Sequence, residues 1–353
     1  MTSPLPPSIA QSPTPSPTPS MAKSILIFSH GELIGDGMMK LPFITALGAA
    51  FKDAEITWAC GRHPTIFKTA LAPLVSGKIH TILDHTRCGD AISDIWGFKK
   101  KIPQPFYDVI INTDHHILPN LMLKNIAHGC YISSSLHWLF SDKKPPLKSV
   151  PQKNKGKSAQ KPILLLDRLM DLLSAATQQK TDPIFNIDIP PTILDLARTL
   201  LPLGKNVLLA PGAGGRFKCW PLANFIQLGQ QLIKDGYHVS YILGPAEIEW
   251  KQPLEQQVNG ALFPLQATCE QSVYLTIALA QLTDLSVAND GGVGHILAAG
   301  NRPIISMWGP TDPYKSRPNG SQVHVIYARD FGAPLMETLG VPQIYEAALK
   351  LLR

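Results

Sequence analysis

The sequence predicts an α/β protein built of two Rossmann-like domains that face each other across a cleft. Three observations lead there. Short apolar runs of strand length alternate with helical patterns twice along the 353 residues, first from Ser24 and again from Asn206. Such alternation is how a parallel sheet covered on both faces reads in sequence. Late in the chain, Asn289-Asp-Gly-Gly-Val-Gly-His295 turns from an apolar run into an Ala-rich helix through three glycines in four residues. Glycines let backbone N–H groups approach a ligand, and a helix start favours negative charge, so this turn reads as a phosphate or diphosphate seat.

The first series opens with the run Ser24–Ser29, a loop from His30 to Gly35, and a helical pattern from Asp36 to about Phe51. Pro42 within it predicts a kink or a start one turn later. Further strands are expected at Ala54–Cys60, Ile79–Leu83, Val109–Asn112 and Cys130–Ser133, and a helix at Pro162–Thr177. A Pro-rich crossing from Thr181 to Pro191 follows, with the halves joined near Asp188 to Leu203. The second series comprises strands at Val207–Ala210, Val239–Leu243, Ala261–Pro264, Leu285–Ala288, Pro303–Trp308 and Val323–Tyr327. Its helices are expected at Leu222–Lys234, from Ala246, at Ser272–Gln281 and at Pro342–Leu352. The expected division is a tail at 1–20, domains at 21–190 and 203–330, and a helical segment at 331–353.

Composition narrows the function. Residues 1–20 are dominated by Pro, Ser and Thr and are expected to be disordered. They carry neither the basic nor the apolar region of a secretory signal, and folded structure is expected to begin at Met21. No apolar run reaches the roughly 18 residues that span a bilayer. Cys60, Cys88, Cys130, Cys219 and Cys269 lie scattered without metal-type spacing, which predicts a reducing, cytoplasmic setting. The formal charge of +6 is concentrated: between Asp142 and Lys161 stand seven lysines and one aspartate. This loop reads either as a solvated linker or as a patch that meets anionic lipid or an anionic acceptor. No aromatics interleave with it, which argues against nucleic acid.

Four loops at strand carboxyl ends supply the candidate chemistry, because ligands bind there in open parallel sheets. The first presents Asp36, with His30 and Glu32 as further titratable groups suited to acid–base work; a helix-capping role for Asp36 is the competing reading. In the second, Pro211-Gly-Ala-Gly-Gly215, the glycines with Arg216 and Lys218 suit a diphosphate. Its spacing matches neither a P-loop nor a dinucleotide fingerprint. Trp220 and Pro221 are expected to pack at a helix start. The third carries Glu247, able to stabilise a helix start or to clamp a ribose diol. The fourth is the Asn289 turn, with Asp290 and His295.

Four blocks, in order and across about 300 residues, resemble glycosyltransferase family 9, the heptosyltransferases that extend the inner core of lipopolysaccharide. They are Gly35-Asp36 with Leu41-Pro42; Pro211-Gly212 through Lys218, Trp220 and Pro221; Gly244-Pro245 with Glu247; and Asn289-Asp290 through Gly292, His295 and Ala298-Ala299, followed by Gly309-Pro-Thr-Asp312. The resemblance implies a GT-B fold and an inverting, metal-independent transfer of heptose from ADP-heptose to lipopolysaccharide or a related glycan. It implies that Asp36 is the general base, that Lys218 neutralises the leaving diphosphate, and that Glu247 holds the donor ribose. Gly212, Ala213, Gly214, Asp290, Gly291, Gly292 and His295 would complete the donor site. The expected partners are a nucleotide-sugar donor and a lipid-linked acceptor, with peripheral contact at the inner membrane, and no cofactor is expected. The chain departs from the family pattern at Ser29-His30, where an Arg is usual, and in the added Glu32. It departs again at Gly291, where many members carry Thr, and at Val293-Gly294. Two other readings fit the same blocks: a transferase or epimerase using another sugar nucleotide, and a non-catalytic binder of nucleotide-sugar or glycan.

Overall fold

The computed structural model describes residues 21–146, without 92, 94–97 and 99, and residues 164–353. The Pro/Ser-rich tail at 1–20, the lysine-rich loop from 147 to 161 and the first two residues of the helix expected from Pro162 lie outside the described residues.

The N-terminal half contains strands β1 (Ser24–Ser29), β2 (Glu55–Cys60), β3 (Thr81–Leu83), β4 (Phe106–Asn112) and β5 (Ala127–Ser133). Its main helices are α1 (Ile34–Ala50) and α2 (Leu165–Thr177). The C-terminal half contains α3 (Pro191–Leu200), β6 (Asn206–Ala210), α4 (Leu222–Lys234), β7 (His238–Tyr241), α5 (Val273–Leu282), β8 (Leu285–Asn289), α6 (Gly292–Ala298), β9 (Ile304–Trp308), β10 (Val323–Tyr327) and α7 (Val341–Leu352). The strand orders are β3-β2-β1-β4-β5 and β10-β9-β8-β6-β7, with every pair parallel. In each sheet the chain reverses its direction of travel at one place: between β1 and β4 in the first, between β6 and β8 in the second. A crevice opens outside the strand ends at such a point.

The strands read as continuous apolar runs because helices cover both faces. Ile27, Phe43, Trp58 and Ile111 anchor one core, and Val207, Phe225, Tyr241 and Ile305 another. The first core extends across the domain boundary, since Val273 and Ile277 of α5 and Ile296 of α6 belong to the same apolar cluster as Ile44 and Leu47 of α1. Tyr274 Oη donates to Pro73 O at 2.9 Å and Asn319 Nδ2 to Met39 O at 2.9 Å, pinning the two halves together.

Several elements differ from expectation. Helix α1 starts at Ile34, two residues before Asp36, and runs unbroken through the buried Pro42. A proline costs an interior helix about 3 kcal/mol, whereas each large apolar side chain fully buried returns roughly 1.5–3 kcal/mol. Met38, Leu41, Phe43, Ile44 and Leu47 all bury on this helix, so packing wins. Helix α3 occupies part of the stretch read as a connection; its Pro191 sits at the helix start, where the missing N–H is harmless. Its Ala197 packs with Leu275 and Leu279 of α5. From Pro245 the chain forms a 3₁₀ helix to Trp250 before the helix Lys251–Gln257. At Ala261–Pro264 only Leu262 pairs, as a single bridge to Ser240.

The loop from β1 to α1 is fixed from beneath. Glu32 points inward rather than toward the cleft: its Oε1 accepts from Lys40 Nζ at 2.7 Å, and Lys40 also donates to Ser29 Oγ at 2.6 Å. Burial pushes the Glu32 carboxyl up, but the Lys40 charge and hydrogen bonds from Lys40, Ser29 and Thr65 outweigh it, leaving it below its usual range. Both side chains are nearly inaccessible. Removing one member of a buried pair strands the other charge, so Lys40→Met is expected to destabilise the protein by about 3–5 kcal/mol, and Glu32→Gln/Lys40→Met by much less. Urea unfolding monitored by tryptophan fluorescence measures both.

Candidate active site

At the reversal point of the second sheet, β6 and β8 lie side by side, with Ala210 paired to Ala288. Their exit loops are therefore neighbours, and Asn289 ties them together. Its Nδ2 donates to Pro211 O at 2.7 Å, while its Oδ1 accepts from Trp220 N at 3.0 Å. Trp220 is buried and donates through Nε1 to Leu339 O at 2.6 Å, so the second loop is clamped at its far end.

All ten residues read from the sequence as site residues line one cavity of about 420 Å³ between the domains. Asp36 enters from α1, where its side chain is exposed. From the facing domain come Gly212, Ala213, Gly214, Lys218, Glu247, Asp290, Gly291, Gly292 and His295. Lys218 Nζ donates to Asp290 Oδ2 at 2.8 Å, and Thr311 Oγ1 donates to the same oxygen. Glu247 lies over the glycines: a Cβ on Gly212 would come within 2.6 Å of its Cδ, and one on Gly244 within 2.9 Å of its Oε2. The glycine at 212 is thus space for a carboxylate. At Gly291 a Cβ would lie 3.1 Å from Ala213 Cα, so a glycine here lets the two loops close on each other.

A second cavity, of about 920 Å³, adjoins this one and shares Ile34 and Val293 with it. Leu243, Pro245, Ile248 and Leu265 give it a mostly apolar wall, and Gln266 a polar one. Together the two cavities offer a polar, glycine-lined end beside an apolar slot.

His295 lines the polar end, and its ring packs against the N-terminal domain, 3.2 Å from where a Cβ on Gly35 would stand. Burial drives its pKa down to about 4; Asp290 partly opposes this and Lys218 adds to it. The ring is therefore neutral near pH 7. A histidine neutral in the fold but protonated when unfolded makes stability full above about pH 6.5 and progressively lost toward pH 4. Replacing His295 with Gln is expected to flatten that part of the stability profile, as read from melting temperatures at pH 4.5, 5.5 and 7.

Two readings change. Arg216 does not join the cavity: it pairs with Glu249 and lies 4.4 Å from the centre of the Trp250 ring, on the surface. Glu32 is withdrawn as an acid–base group by its burial. The Asp290 carboxylate organises Lys218 and Thr311. Thr311 and the latch role of Asn289 were not foreseen as site functions, although both stand in blocks that carry the family resemblance.

Two parallel-sheet Rossmann-like domains with a glycine-walled cavity between them constitute a GT-B fold. The sequence model of glycosyltransferase family 9 (heptosyltransferase) matches residues 95–337, and the chain belongs to that family. It is 32% identical over 133 residues to lipooligosaccharide heptosyltransferase 2 of Haemophilus influenzae, a match covering 35% of this chain and 37% of that protein, little more than a third of its length. A longer match, 24% identical over 304 residues, covers 84% of this chain and 87% of lipopolysaccharide heptosyltransferase 3 of Escherichia coli. Among solved structures, the glycosyl transferase family 9 protein of Veillonella parvula superposes with a TM-score of 0.68 at 18% identity, covering 96% of this chain and 99% of its own. The E. coli heptosyltransferase WaaC with ADP gives 0.63 at 18% identity, covering 93% and 99%. These structural likenesses concern the fold.

Proposed function

We propose that the chain is an inverting glycosyltransferase that moves heptose from ADP-heptose onto a lipopolysaccharide core or related glycan. The observation that carries this reading is the shared cavity: a free-standing carboxylate, Asp36, on one wall, and a lysine with two glycine-rich loops on the other. An inverting transfer needs one base on the face opposite the leaving group. Asp36 would take the proton from the acceptor hydroxyl as that oxygen attacks the anomeric carbon. The bond from that carbon to the diphosphate oxygen breaks, and the electron pair leaves with the nucleoside diphosphate.

Lys218 meets the developing charge. An ammonium has three donors, so it can keep Asp290 and still donate to a phosphate oxygen. The backbone of Gly212–Gly214 and Gly291–Gly292 adds N–H groups without side chains in the way. Glu247 accepts from the ribose hydroxyls, and the adjoining apolar cavity takes the base. His295, neutral, supplies a hydrogen bond rather than a charge. The charge on the diphosphate is met by these groups, and the proposed transfer employs no metal or cofactor. The N-terminal domain, with its lysine-rich loop, would hold a lipid-linked acceptor at the cytoplasmic face of the inner membrane; among the described residues no helix is long and apolar enough to cross one. The readings as a different sugar-nucleotide enzyme and as a binder are tested by the same assays.

With ADP-heptose and isolated lipid-linked acceptor, the wild type should release ADP and add one heptose by mass. Asp36→Asn is expected to lower turnover by about 10²–10⁴-fold while donor affinity, from calorimetry, changes by less than about threefold. Near-normal turnover in Asp36→Asn contradicts the assignment of the base. Turnover only with another donor contradicts the assignment of the sugar. Lys218→Ala should lower both kcat and donor affinity.

A further inference from the structure

The first sheet also has a reversal point, between β1 and β4, and its exit loops carry chemistry that the proposed transfer does not use. After β4 the chain reads Thr113-Asp114-His115-His116, and after β1 it reads His30. One donor atom from each of Asp114, His115 and His116 lies within 4.8 Å of the others. His116 Nδ1 is 2.6 Å from Asp114 Oδ1, and His115 Nδ1 is 3.9 Å from it. The two imidazoles stack with centres 4.4 Å apart, and both are exposed.

Asp114 carries the second observation. Its side chain is only 4% exposed, yet its Oδ2 is buried without a hydrogen-bond partner among the described residues. His30 Nδ1 stands 3.5 Å from that oxygen. Oδ1, by contrast, accepts from His116 N at 3.0 Å as well as facing the ring. A buried carboxylate with an orphan oxygen is costly unless something positive meets it.

We infer that Asp114, His115 and His116 form a binding site for a divalent transition-metal ion of the zinc class, with His30 beside it. Two imidazoles and a carboxylate are a donor set that suits such an ion, with bonds of roughly 2.0–2.2 Å and a fourth position left to solvent or ligand. The ion takes the place of the hydrogen bond between His116 Nδ1 and Asp114 Oδ1, and the neutral His116 ring then carries its N–H on Nε2. Arg168 on α2 is the other cation facing the cluster. None of the three ligands lines the donor cavity, so this site stands independently of the proposed transfer.

The test uses untagged full-length protein, stripped with chelator and titrated with ZnCl₂ or CoCl₂ in calorimetry. One equivalent is expected, with a visible Co²⁺ spectrum and a raised melting temperature on Zn²⁺ addition. Affinity should fall at least about tenfold in His115→Ala and in His116→Ala. His115 has an exposed side chain, so its replacement leaves folding intact, as circular dichroism would verify. Absence of binding by the wild type, or binding unchanged in both variants, overturns the inference.

Discussion

A side chain at position 292 has no room: its Cβ would lie 2.9 Å from Ile34 Cγ2, and one at Gly35 would lie 3.2 Å from His295 Cδ2. These two glycines let the start of α1 and the start of α6 meet across the domain boundary. The rest of the site depends on that contact, because α1 brings Asp36 and α6 follows the turn that carries Asp290. Apolar packing of Ile44 and Leu47 with Ile277 and Ile296 holds the contact closed from behind. The two halves therefore present one cavity, with Asp36 on one wall and Lys218, Glu247, Asp290 and the glycines on the other.

The polar groups around this contact are arranged by partners rather than left to find them. Asn289 joins the two exit loops of the second sheet; Asp290 holds Lys218 on one side and Thr311 on the other. In the first domain, Glu32 and Lys40 anchor the loop leading to Asp36. Glu32 is thus an internal counter-charge for Lys40.

The fold was legible because parallel strands buried on both faces must be apolar throughout, and β1, β6 and β8 are. The glycine-lined wall of the cavity was legible because close approach favours glycine: a Cβ on Gly212 would meet Glu247 at 2.6 Å, and one on Gly291 would meet Ala213 at 3.1 Å. What escaped reading has a physical cause in each case. Helix α3 hides behind Pro190 and Pro191, which read as a crossing although a proline at the first helical turn is benign. Arg216 and Lys218 are two residues apart in one short turn, and sequence spacing alone does not tell that one stacks on Trp250 while the other enters the cavity. Whether Glu32 faces solvent or core depends on Lys40, eight residues on, one more instance of tertiary packing overriding local pattern. The Asp114 cluster escaped because its donors are consecutive in the chain, with none of the spacing that marks metal sites.

In the proposed transfer one base, Asp36, stands opposite a departing diphosphate held by the facing domain. The most direct measurement is the anomeric configuration of the product, read by NMR against that of the nucleotide-sugar donor. The geometry predicts inversion at the anomeric carbon in a single displacement. A product that retains the donor's configuration would contradict the account.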